Sequence, residues 1–151
     1  MLIKRISPRQ NIYLSYAGAD REFSSLFLAL LDEGLSQDSL HRYRIKTAED
    51  VSYGDNIADA ISNFITEADF VIVLLSSAYV QSNSTMEEFQ IAKQCGVLLI
   101  PVLLEPMSKI DLFPSVLSGV KSLELYDLGS KEDLEKRVSH LIKDISHKHM
   151  D

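Results

Sequence analysis

The chain has 151 residues, 46% hydrophobic and 25% charged, the balance of a single globular domain, 1–151, able to bury a core. A formal net charge of −7 argues against non-specific binding to nucleic acid or to an anionic membrane, since both need clustered Lys and Arg. The apolar runs 70–75 and 97–104 are too short to span a bilayer, and no signal-peptide pattern opens the chain, so a cytoplasmic protein is expected. Cys95 stands alone, which excludes a disulfide framework and a thiolate metal cluster. The histidines are scattered or terminal, and the pair His147 and His149 reads as a frayed polar tail, so no metal site is expected.

The first ten residues, with Pro8, read as a lead-in to a sheet. Residues 11–16 are nearly continuously apolar and predict a buried strand. Phe23, Leu26, Phe27, Leu30 and Leu31 then keep helical spacing, with Asp20 as N-cap and Gly34 as stop. Arg42–Lys46 alternates, which suits an edge strand. A second helix carries Ile57, Ile61, Phe64, Ile65 and Ala68, with Asp55 as N-cap. Residues 69–76 predict another buried strand, 85–95 a helix stopped by Gly96, and 97–104 a strand whose pairing is expected to break at Pro101. Residues 104–120, with Pro106 and Pro114, read as a loop with a short helix. An alternating strand, 122–126, precedes a last helix on Leu134, Val138, Leu141, Ile142 and Ile145, whose solvated face holds the charges of 131–136.

Strand and helix alternate five times, which predicts an α/β fold with a parallel sheet between two helical layers and right-handed crossovers. With the alternating strands at the edges, the order is 2-1-3-4-5, the flavodoxin-like three-layer sandwich. Ligands of that fold bind at the carboxyl ends of the strands, beside the switch point between the first and third. Segments 15–20, 47–54 and 76–85 converge there and bring hydroxyls, a glycine turn and tyrosines.

Glu88 lies one turn into the helix that the third segment opens. Steps of three, four and seven residues from it reach Ile91, Ala92 and Cys95, the apolar stripe, whereas Glu87 shares a face with Gln90 and Gln94. A carboxylate turned toward a core needs a partner, a raised pKa or a pocket that uses it. A phosphate-accepting receiver is excluded, because the third strand ends Leu74-Leu75-Ser76 without an aspartate. Ala17-Gly18-Ala19-Asp20 makes a poor flavin phosphate loop, and no glycine-rich nucleotide loop of the P-loop or dinucleotide type is present.

From about 11 to about 145 the chain resembles the TIR (Toll/interleukin-1 receptor) domain family. The resemblance rests on Asn11-Ile-Tyr-Leu-Ser-Tyr16 followed by Asp20, on Ala48-Glu-Asp-Val-Ser-Tyr-Gly-Asp-Asn-Ile57, and on Phe70-Val-Ile-Val-Leu-Leu-Ser-Ser-Ala-Tyr79 with Ser82 and Glu88-Phe89. The last piece is similar to the family's frequent Ser-x-Trp-Cys-x-x-Glu-Leu pattern. Ser84 and Thr85 stand where that pattern has Trp and Cys, and Tyr53 replaces a proline in the second-strand loop.

In enzymatic members the glutamate of this pattern cleaves NAD, so the resemblance implies Glu88 as catalytic residue of a prokaryotic-type NAD+ glycohydrolase or ADP-ribosyl cyclase. NAD+ is then the substrate and no cofactor is expected. Ser15, Tyr16, Ala17 and Gly18, then Asp50, Tyr53 and Gly54, then Ser76, Tyr79 and Ser84 are the corresponding substrate-binding candidates. The resemblance further implies homotypic TIR–TIR assembly on activation, with one copy's second-strand loop completing the next copy's site, and a role in antiphage defence or NAD-depletion signalling. The competing expectation is a non-enzymatic adaptor that binds other TIR domains through the loop around Val51 to Asp55.

Overall fold

The computed structural model describes residues 9–38 and 41–147. Strand β3 (Phe70–Leu75) is buried at every position and organises the sheet. It pairs in parallel with β1 (Arg9–Ser15) on one side, Ile12 opposite Phe70, and with β4 (Leu98–Leu103) on the other, Phe70 opposite Leu98. Outside these lie β2 (Arg42–Lys46) against β1, and β5 (Leu123–Glu124) against the last two residues of β4. The five-stranded sheet has the predicted order β2-β1-β3-β4-β5.

Alternation along the strands builds two cores. Ile12, Leu14, Phe70, Ile72, Leu74 and Val102 face Phe27, Leu31 and Leu35 of α1 (Arg21–Leu35) and Leu134, Val138, Leu141 and Ile145 of α5 (Lys131–His147). Tyr13, Val71, Val73, Leu75 and Leu103 face Ile65 of α2 (Ile57–Thr66), Tyr79 of α3 (Ser77–Gln81), and Phe89 and Ala92 of α4 (Asn83–Cys95). A core on each face is what an almost unbroken apolar strand requires.

Several local expectations are corrected. The ladder does not break at Pro101, which pairs with Val73 inside a continuous β4. Leu104 donates its N–H inward to Leu75 O, and Leu103 O accepts outward from Leu125 N. By alternation Pro101 faces outward, one residue before β5 pairing starts at Val102, so its missing donor leaves no ladder bond unmade. Gly34 does not stop α1; it lies within the helix, where an added Cβ would come 2.1 Å from Ile142 Cδ1, so it lets α1 and α5 approach.

Asp55 is not the cap of α2: the Asn56 side chain accepts from Asp59 N–H at 2.9 Å. Asp20 occupies the N-cap position of α1, but its carboxylate is engaged elsewhere and makes no capping bond. Cys95 is exposed, because the buried stripe of α4 runs Thr85, Glu88, Phe89 and Ala92 and ends before the last turn. The last strand is shorter than 122–126, and 104–120 holds two short 3-10 turns, Met107–Lys109 and Ser115–Leu117. Arg9 and Gln10, read as lead-in, already belong to β1. The rest of that lead-in and His149 lie outside the described residues.

Gly96 does close α4 as predicted, in the left-handed region at φ 71°. An L side chain is strained there. Gly96→Ala is expected to lower unfolding stability by about 1 kcal/mol, read as an earlier midpoint in urea denaturation with an unchanged slope.

Candidate active site

Ser15 is the last residue of β1, and Tyr13 lies on the same face two residues earlier. Across the switch point, β3 ends at Leu75 and Ser76 turns the chain. Ser76 Oγ accepts from Tyr79 N–H at 3.1 Å, which starts α3, and donates to Asp20 Oδ2 at 2.6 Å. That second bond ties the end of β3 to the loop after β1. It explains why Asp20 does not cap its own helix.

The chain bends again at Ser82, whose Oγ accepts from Thr85 N–H at 3.3 Å and begins α4. Thr85 Oγ1 donates back to Tyr79 O at 2.6 Å, pinning α4 to α3. The residue in place of the family's Cys is thus a structural clamp. One turn later Glu88 enters the core face with 8% of its surface exposed, whereas Glu87 is exposed.

Ser15 Oγ donates to Glu88 Oε1 at 2.7 Å and stands 2.9 Å from the Tyr79 hydroxyl. Ser15 has one hydroxyl proton, already given to Glu88, so Tyr79 is the donor in the other bond. The resulting chain runs Tyr79 to Ser15 to Glu88 Oε1. Glu88 Oε2 has no hydrogen-bond partner among the described residues and is not sealed off. No ion pair reaches the carboxylate among the described residues.

Burial pushes the Glu88 carboxyl above the ordinary range, opposed by the hydrogen bond from Ser15 and by Tyr13. Burial likewise raises both buried phenols, and the nearby Glu88 charge adds to each rise. Among the described residues no second carboxylate contributes to the rise, so the acid is raised by dehydration rather than by like charge.

The remaining candidates spread outward. Tyr16 donates its hydroxyl to Glu49, which also lies 3.9 Å from Arg21 Nε, and burial followed by Glu49 raises its pKa. Ala17 is buried in the second core and Gly18 is exposed at the start of a 3-10 turn. Asp50 is occupied structurally, accepting from Thr47 N–H at 2.8 Å in a reciprocal cap. Tyr53 is fully exposed, Gly54 sits at φ 92° in the turn closed by Asp55 N–H to Ser52 O, and Ser84 is exposed. The structure therefore joins Ser15, Tyr79 and Glu88 in one bonded cluster with Ser76 alongside, while Tyr53, Gly54 and Ser84 stand free of it. Asp20 and Thr85 brace the cluster from outside through Ser76 and Tyr79 O. Tyr13, beside it on β1, is the residue that spacing did not single out as a site residue; strand period two from Ser15 is the signal that points to it.

A doubly wound α/β domain with one dehydrated acid at the switch point defines the class. The sequence matches the profile described as TIR domain over residues 12–142, and the chain belongs to the TIR domain family. Among solved structures, it is similar to the TIR domain of the Toll-related receptor TRR-2 from the lower metazoan Hydra magnipapillata, at 19% identity and TM-score 0.64, covering 90% of this chain and 97% of that one. It is also similar to the TIR domains of the activated Roq1 resistosome that directly recognises the pathogen effector XopQ, at 18% identity and TM-score 0.65, covering 90% and 99%. No curated protein matches the sequence significantly. No helix among the described residues is long and apolar enough to cross a membrane.

The raised Glu88 pKa sets a stability test with a definite sign. Between the ordinary value of 4.5 and the raised one, the folded chain binds the extra proton, so this contribution is full below 4.5 and is lost as pH rises through the folded value. Glu88→Gln is therefore expected to melt at a higher temperature than wild type at neutral pH, with the difference closing below pH about 4, as followed by circular dichroism.

Proposed function

We propose that this domain cleaves the bond between nicotinamide and ribose in NAD+, with Glu88 as catalytic residue. The observation that carries this reading is the division of labour on one carboxylate. Oε1 is held by Ser15, which is itself held by Tyr79, while Oε2 keeps its lone pairs for something from outside.

Glycoside cleavage ordinarily needs two carboxyl groups because an alkoxide leaves poorly and must be protonated. Nicotinamide is already a pyridinium in NAD+. When the C1′–N bond breaks, its electron pair stays on the ring nitrogen and a neutral base departs, so no general acid is required. The ribosyl unit becomes oxocarbenium-like. An ionised Glu88 accepting from a ribose hydroxyl through Oε2 stabilises that charge in a site with little competing water. Capture by water, with loss of a proton, gives ADP-ribose. Capture by a nitrogen of the same molecule's adenine gives a cyclic ADP-ribose.

Ser76, Tyr16, Ala17, Gly18 and Ser84 are the proposed contacts for ribose, phosphates and rings around the cluster. Asp50, Tyr53 and Gly54 are proposed to act from the neighbouring copy in a homotypic assembly, which fits the full exposure of Tyr53 and the 66% exposure of Ile57 just beyond. The same exposure favours a second reading, an adaptor that uses this loop only to bind other TIR domains. A cytoplasmic defence or signalling role, with NAD depletion or a cyclic nucleotide as output, follows from the first reading.

Concentrated or artificially clustered protein is expected to release nicotinamide from NAD+, and Glu88→Gln to lose about 100-fold or more of that rate, with Glu87→Gln at wild-type level. The rate should fall on the acid side above the usual carboxylate range, since the ionised form is the working one. Absence of release under every clustering condition would favour the adaptor.

A further inference from the structure

Tyr13 is 0% exposed, and its hydroxyl is the one buried side-chain polar atom without a hydrogen-bond partner among the described residues. Leaving such a group unpaired costs roughly 1–3 kcal/mol. Phenylalanine would fill the same space without that loss, so packing alone gives no reason for the oxygen. The ring is held against Phe64, with centroids 6.3 Å apart and planes tilted by 31°, which limits where the hydroxyl can go.

On its face of β1 the acceptor is the Glu88 carboxylate: Tyr13 lies two residues from Ser15 on that face, and Ser15 Oγ already donates to Glu88 Oε1. Tyr13 also opposes the rise that burial imposes on the Glu88 carboxyl. Ser15 has spent its single proton on Oε1, and Tyr79 has spent its own on Ser15. That leaves Tyr13 as the donor still uncommitted. The titratable groups around the carboxylate are Tyr13 from β1 and Tyr79 from α3, with Tyr16 further out beside Tyr13.

We propose that Tyr13 is a positioning residue for Glu88: its hydroxyl closes a second hydrogen bond onto the carboxylate when Glu88 is ionised, and so keeps the charged form populated and fixed. The functional consequence rests on Glu88 being the NAD+-cleaving carboxylate; the contact itself does not. Such hydrogen bonds are often long in a site without ligand and tighten when charge develops. The bond favours the ionised form against the burial that disfavours it.

Tyr13→Phe removes one oxygen and adds nothing, so the fold is expected to persist, checked by thermal melting. In protein labelled with 13C-carboxyl glutamate, with the Glu88 signal assigned by its loss in Glu88→Gln, the Glu88 titration midpoint is expected to rise by about one pH unit in Tyr13→Phe. The acid limb of nicotinamide release should move up with it. Tyr79→Phe, which removes the same atom from the other buried tyrosine, should shift the midpoint less because Ser15 still donates. An unmoved midpoint in Tyr13→Phe, or equal shifts in the two variants, would overturn the proposal. The titration reads the carboxyl whether or not NAD+ is cleaved. A shifted midpoint in protein that releases no nicotinamide removes the activity and upholds the contact, whereas an unmoved midpoint in active protein removes Tyr13 alone.

Discussion

The bond from Ser15 Oγ to Glu88 Oε1 joins the last residue of a central strand to a helix two crossovers later in the chain. It holds a carboxylate where water is scarce, and much of the local architecture exists to keep it there. The Ser76–Asp20 bond fixes the two strand ends against each other. The Thr85–Tyr79 bond sets the angle between α3 and α4. Without these, the Glu88 side chain would be free to swing toward solvent, where hydration favours its charge. A group dehydrated at neutral pH opposes folding, so the two cores on either side of the sheet must supply the surplus that tolerates it.

The same economy explains why the cluster is made of hydroxyls rather than cations. An arginine beside Glu88 would hold the charge more firmly and would also consume both oxygens. A serine takes one and leaves the other. The hydroxyl chain therefore orients the acid without neutralising it, a compromise between a structural ion pair and a solvated side chain.

Much of this was legible in the sequence because it followed from period and order. The unbroken apolar strand around Phe70 to Leu75 and the alternating Arg42–Lys46 fixed strand order, and that order located the switch point. Glu88 was visible because a charge on an apolar stripe violates a pattern. What could not be read were choices between equivalent donors and acceptors. Asp55 and Asn56 are both good caps, and only in the folded chain does the Asn56 side chain meet Asp59 N–H. Gly34 looks like a helix stop in one dimension; its real constraint is Ile142, more than a hundred residues away. Tyr13 was hidden because a tyrosine in a buried strand is ordinarily a packing residue. Its missing partner becomes apparent only once every neighbouring proton has been assigned.

Pro101 bears on a different hazard. Because β5 pairs only with Val102 and Leu103, the earlier half of β4 has no strand along its outer side among the described residues, and Leu98 is 48% exposed there. An open stretch of apolar edge is a template on which another chain can add a strand and aggregate. An incoming strand would find no N–H at Pro101, the last residue of the stretch it would have to grip. The residue that looked like a flaw in the strand is a guard against unwanted polymerisation along that edge.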